Sequence, residues 1–184
     1  AALMWDGKRG EDALAASARA LEHSPKNVDL LWLRAETLRL RRPKDEAIQF
    51  LDAQGELLAR SADLLVVKGA ALYDKSIEAN LPPPLTREEL QRQALDAFAA
   101  ARRVDPTNVH ARYTPAWFLT NTKRALEAYP LLTEAAELSA SPKIHVAFWQ
   151  AVQNNWKLTA EQKREIVTDD MDRLVARRAE LPST

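Results

Sequence analysis

Three histidines, His23, His110 and His145, are the first residues to weigh for catalysis or metal binding. Either task needs partners at ligand spacing, such as a second histidine one helical turn away. None of the three has one. His145 has Trp149 four residues on, a spacing that reads as packing along one helix face. Asp169 and Asp170 are adjacent, so on a helix they point to different sides. No Gly-x-Ser-x-Gly elbow and no Ser-x-x-Lys in a supporting context marks a serine nucleophile. Gly7 and Gly10 read as a polar turn between two helices, without the preceding strand of a phosphate-binding loop. Cysteine is absent, which removes thiolate nucleophiles, disulfides and thiolate zinc sites. These residues assemble no catalytic set, no metal site and no cofactor site, and the chain reads as a non-enzyme.

What remains are surfaces. Trp5, Trp32, Trp117, Trp149 and Trp156 are many tryptophans for 184 residues. Trp and Tyr supply large contact area at small entropic cost. Lys and Arg number 26, and so do Asp and Glu, so no net field favours nucleic acid or an anionic membrane. Basic clusters occur at Arg39, Arg41, Arg42 and Lys44, at Arg102 and Arg103, and at Arg177 and Arg178. Cations near helix C-termini are stabilising in themselves, and no interleaved aromatics suggest base stacking. No apolar run approaches the roughly 20 residues of a membrane span. The expected partner is therefore a protein or peptide, not nucleic acid or membrane. No signal peptide is visible. The compartment stays open, with the cytoplasm the default for a soluble chain.

The elements that would present these surfaces are helical. Ala, Leu, Glu, Arg and Lys dominate, all good helix formers, and glycine occurs only 4 times, too few for a turn-rich β fold. Two segments repeat one another: SPKNVDLLWLRAETL at 24–38 and DPTNVHARYTPAWFL at 105–119. In each, Pro stops one helix, Asn caps the next, and Val28 or Val109 opens it. The offset from Pro25 to Pro106 exceeds two periods of about 34 residues by one insertion, ANLPPPLTREELQ at 79–91. Its three prolines cannot continue a helix, so one helix should end near Asn80. Another should start near Thr86, with Glu89 completing a capping box.

A small–large–small order then recurs before each proline. It reads Ala94, Phe98, Ala101 and Pro106, then Ala128, Leu132, Ala135 and Pro142. It reads Ala13, Ser17, Ala20 and Pro25, with Ser17 a departure, and Ala47, Leu51, Gln54, with Gln54 a departure. Preceding helices carry Ala35, Gly69 and Ala116, each followed three residues later by Leu38, Leu72 or Leu119. Small residues let helices approach and large ones fill the space between them. In this order and period the chain resembles the tetratricopeptide repeat family. The resemblance covers most of the chain and implies an all-α, right-handed α-α superhelix of about four to five helix pairs with a C-terminal capping helix. It divides one domain, 1–184, into a partial unit at 1–27, units at 28–61, 62–108 with the insertion, and 109–142, and a terminal pair at 143–181. Pro115 and Pro130 disturb the fourth unit: Pro115 either kinks its helix or follows Thr114 as cap. At the end, Thr159 and Gln162 suggest another capping box, and Ile166, Val167, Met171, Leu174 and Val175 an apolar stripe on a terminal helix.

The resemblance also implies a function, protein–protein interaction through a concave face lined by the first helix of each unit. On this sequence those positions include Trp32, Glu36, Arg39, Val66, Tyr73, Asp74, Tyr113, Trp117 and Asn121, with Ile144, Ala147, Ala151, Asn154 and Asn155 on the terminal pair. The Lys and Asn set with which some relatives clamp a C-terminal carboxylate is not reproduced. The acids Asp29, Glu36, Asp63 and Asp74 would favour a neutral or basic ligand instead. The alternative is an architectural domain of a larger protein with an empty groove, which the opening Ala1-Ala2-Leu3, without Met, would suit.

Overall fold

The computed structural model describes residues 7–81, 83–122 and 124–179. Among the described residues there are ten helices and no strand. They are α1 (Gly7–His23), α2 (Val28–Arg41), α3 (Lys44–Asp52), α4 (Glu56–Arg60), α5 (Ala62–Ser76), α6 (Arg87–Val104), α7 (His110–Asn121), α8 (Ala125–Leu138), α9 (Pro142–Asn154) and α10 (Ala160–Ala179). The chain divides into two compact bodies, Ala1–Ala111 and Arg112–Thr184.

Local chemistry sets the helix starts. Asn27 Oδ1 accepts from Leu30 N at 3.1 Å, and Asn108 Oδ1 from Ala111 N at 2.9 Å, as the Pro-x-Asn-Val repeat requires. Ser61 caps α5 in the same way. Thr159 and Gln162 form the full reciprocal box, at 3.2 and 2.9 Å. The box expected at Thr86 is half made. Thr86 Oγ1 accepts from Glu89 N at 3.1 Å, but the Glu89 carboxylate turns to Arg92 and Gln93. Hydrogen bonds from Arg92 first, and then Gln93, pull the Glu89 carboxyl down to about 2. Its small contribution is therefore present above the usual carboxylate range and fades as the pH falls toward that value.

Some boundaries depart from the sequence reading. α5 ends at Ser76 rather than near Asn80. Gly7 and Gly10 lie inside α1, not in a turn. A Cβ on Gly10 would stand 2.9 Å from the Arg41 side chain. α4 is an added short helix after α3. Pro115 lies inside α7, so Thr114 is not its cap, and Pro130 lies inside α8. Pro115 has no N–H to give the carbonyl of Ala111, and Arg102 Nη1 donates there at 3.3 Å.

In the N-terminal body α5 packs against α2, α3, α4 and α6 and is buried along nearly its whole length. The repeat positions explain how. Ala35, Leu38, Ala47, Leu51, Gly69, Leu72, Ala94, Phe98 and Ala101 are all buried. Gly69 is the tightest point, because a Cβ there would stand 2.8 Å from the ring of Phe98, itself fully enclosed. Lys75 is also inside and pairs with Asp45 of α3. In the C-terminal body α8, α9 and α10 pack in sequence, and Ala128, Leu132, Ala135, Phe148 and Val152 form the core. The Tyr129 ring stacks on Phe148 at 6.1 Å between centroids.

The Gly69–Phe98 approach yields a test. Alanine at 69 would raise helix propensity by about 1 kcal/mol. The added methyl must displace a caged ring, at a cost of about 1–3 kcal/mol. Gly69→Ala is expected to lower the denaturation midpoint, and Gly69→Ala with Phe98→Leu to lower it less than the two single effects added together. A midpoint raised by Gly69→Ala would refute the close approach.

Candidate binding surface

The nine residues placed on the inner face by sequence fall into two sets, one in each body. In the N-terminal body α2 presents Trp32, Glu36 and Arg39, four and three residues apart on one face. Trp32 is 42% exposed. Glu36 grips Arg39 with both oxygens, at 2.6 Å to Nη2 and 2.9 Å to Nε. Arg39 Nη1 donates onward to Asp74 of α5, so the three side chains tie α2 to α5. Burial opposes the charge on Arg39, but hydrogen bonding and attraction from Glu36 and Asp74 outweigh it and hold the guanidinium above its usual range. Lys44 Nζ caps the Arg39 carbonyl at 2.6 Å. Val66 and Tyr73 are buried in the packed side of α5 and offer little surface. Spacing alone could not reveal this, because α5 has neighbours on almost every side.

In the C-terminal body the geometry is different. Tyr113, Trp117, Thr120 and Asn121 of α7 face Ala147, Gln150 and Asn154 of α9 across a cleft of about 390 Å³, with Leu132 of α8 also lining it. The spacings i, i+4, i+7 and i+8 on α7, and i, i+3 and i+7 on α9, each define one helix face. Of the inner-face positions expected on the terminal pair, Ile144, Ala151 and Asn155 are buried. Trp117 is 52% exposed and braced edge-on against buried Phe118, with centroids 5.3 Å apart. Lys143 Nζ lies over the Tyr113 ring at 5.5 Å. The Thr120 hydroxyl is committed to the Ala116 carbonyl at 2.9 Å. Asn121, Gln150 and Asn154 are exposed or half-buried and make no side-chain hydrogen bond to a described residue, so their amides are available as donors and acceptors. None of the lining side chains is charged. A larger depression of about 500 Å³ runs along α10 past Gln153, Lys163, Arg164 and Val167, but Lys163 is already committed to the Gln153 carbonyl.

The histidines do not converge. His23 and His110 are exposed, and no group of three His, Asp or Glu among the described residues is placed to hold a metal ion. His145 is more than packing. It is buried, with Nδ1 2.6 Å from Asp170 Oδ2 and Nε2 2.6 Å from the Ser139 carbonyl, while Trp149 Nε1 donates to the same Asp170 oxygen at 2.8 Å. The sequence signal was the shared face of His145 and Trp149. Their acidic partner, 25 residues from His145, carried no local mark. Trp5 lies outside the described residues. Trp156 stands exposed in the α9–α10 loop.

The Arg39 cluster can be tested through stability. Arg39→Ala is expected to destabilise the N-terminal body by about 1–3 kcal/mol, since it leaves two partly buried carboxylates facing each other. Arg39→Ala with Asp74→Ala should cost less than the sum of the single changes by about 1 kcal/mol. Strict additivity in a denaturation double-mutant cycle would show that the contact carries no coupling.

No protein-family model matches the chain, and no curated protein matches it. Its structure is similar to two crystal structures of MamA, both at 15% identity. One has TM-score 0.63 over 95% of this chain and 93% of that one, and the other 0.57 over 98% and 95%. It is also similar to the crystal structure of TTC0263, a thermophilic TPR protein in Thermus thermophilus. That match has TM-score 0.69 and 18% identity over 97% of this chain and 93% of that one. The fold is thus an all-helical repeat of the tetratricopeptide type, as the small–large–small order implied.

Proposed function

We propose that the chain is a protein-interaction module that holds an extended, uncharged peptide segment of a partner in the α7–α9 cleft of its C-terminal body. The observation that carries this reading is the composition of the cleft: an aromatic wall, Tyr113 and Trp117 on α7, with three uncommitted amides, Asn121, Gln150 and Asn154. An extended backbone exposes alternating N–H and C=O groups, and primary amides match both. The aromatic faces supply apolar contact for one or two side chains. On the N-terminal body, Trp32 with Glu36, Arg39 and Asp74 forms a second contact area, while Val66 and Tyr73 are buried and serve packing. Binding, not catalysis, is the activity these groups can perform, and no cofactor enters it.

Selection from a displayed peptide library tests the reading. The wild-type chain is expected to enrich neutral sequences with an aromatic, proline or aliphatic anchor. The variant with Trp117→Ala, Asn121→Ala and Asn154→Ala, equally helical by circular dichroism, should bind the selected peptides about 30-fold more weakly or worse. Affinity should change by less than about threefold between low and high salt, because the cleft's lining side chains are uncharged and Lys143, over the Tyr113 ring, adds a single cation. Equal binding by both proteins would reject the cleft as the site. A steep salt dependence would move the site to the charged face of α2.

A further inference from the structure

α10 is fastened to its body by a line of polar contacts beside half-buried Ile166, Val167 and Leu174. It is 20 residues long, yet among its described side chains only Asp170 is buried, at 4% exposure. The expected apolar stripe faces its body only in part. Ile166, Val167 and Leu174 are half-buried, while Met171 and Val175 are 47% and 68% exposed. The packing line runs instead through Lys163, Asp170 and Arg177, one residue every two turns. Lys163 Nζ donates to the Gln153 carbonyl at 2.7 Å, in the last turn of α9. Arg177 Nη1 donates to the Ala136 carbonyl at 3.3 Å, near the end of α8. Both cations sit where a helix C-terminus carries partial negative charge. Asp170 meets His145 and Trp149 between them.

The hydrogen count at His145 is constrained. A carbonyl oxygen only accepts, so Nε2, facing the Ser139 carbonyl, must carry a hydrogen. Asp170 as a carboxylate also only accepts, so Nδ1 must carry one too, and the ring is then an imidazolium. Among the described residues, Asp170 is the one charged group in contact with the ring. From the α8–α9 connection comes the Ser139 carbonyl, and from α9 itself the neutral Trp149. Remove the Nδ1 hydrogen and a ring lone pair faces a carboxylate lone pair at hydrogen-bond distance inside the protein, where unpaired polar groups are costly. We propose that the His145–Asp170 pair is a proton-dependent latch: the imidazolium holds α10 down, and loss of its proton releases the helix. Release frees the His145 ring and the Trp149 indole N–H from Asp170 and opens buried His145 to solvent.

The chain has no cysteine, so a single introduced thiol reports on α10 without interference. Leu174→Cys places it on the packed side, and Val175→Cys, on the exposed side, serves as the reference that cancels the reagent's own pH dependence. The ratio of the two labelling rates is expected to rise about tenfold or more between about pH 6 and about pH 8.5 if the ring proton holds the helix. In the His145→Gln background the ratio should not respond to pH. Nitrogen NMR of the unmutated chain at about pH 6 should show both ring nitrogens of His145 protonated. A ratio constant within about twofold, a pH response that survives His145→Gln, or an unprotonated ring nitrogen in the docked form would each overturn the latch.

Discussion

The seat of the Phe98 ring on Gly69 is the constraint from which the N-terminal body follows. Two helices come this close only where one of them has no side chain, and a Cβ at 69 would stand 2.8 Å from the ring. With α6 pressed on that face, α5 turns its other faces to α2, α3 and α4 and is enclosed along most of its length. The consequences are visible at its polar positions. Lys75 cannot reach solvent and pairs with Asp45, and Ser76 returns its hydroxyl to the Tyr73 carbonyl at 2.6 Å. The same enclosure takes Val66 and Tyr73 off the surface, while Asp63 stays exposed and Asp74 half-buried.

Where apolar area is plentiful, small and large residues alternate and polar groups are peripheral. Where it is scarce, polar groups fix the register. The Glu36–Arg39–Asp74 bridge sets α2 against α5, and the Lys163, Asp170 and Arg177 contacts set α10 against α8 and α9. Such contacts add modest net stability because desolvation offsets attraction, but they penalise every misaligned packing in which a charge is left alone. They also respond to conditions, as buried apolar contacts do not. A helix whose one buried side chain is a carboxylate held by an imidazolium can be released by loss of a proton, whereas a helix buried through leucines cannot.

The two candidate faces are built for different tasks. The N-terminal face is charged but internally satisfied, because Arg39 is consumed by Glu36 and Asp74. Groups already paired contribute little to a newcomer. The C-terminal cleft is neutral, its amides are uncommitted, and its tryptophan is braced by Phe118 rather than buried. On the proposed reading, a ligand's affinity would therefore come from the cleft rather than from the charged face.

Much of this was legible in the chain itself. The Pro-x-Asn-Val starts, the small–large–small order and the period near 34 residues depend on contacts within a helix or between adjacent helices. Those contacts recur at fixed spacing, so Ala94, Phe98 and Ala101 could be assigned to the packed side from sequence, and they are buried there. Tyr113, Trp117 and Asn121 could be grouped on one helix face, and they line one cleft. Tertiary structure alone decided which of these faces stayed open. It enclosed Tyr73, rotated α10 so that Asp170 rather than Met171 turned inward, and brought His145 to a carboxylate 25 residues away. The reason is physical: periodicity states which residues share a face, but the neighbour that covers a face lies elsewhere in the chain, and only packing determines whether it comes.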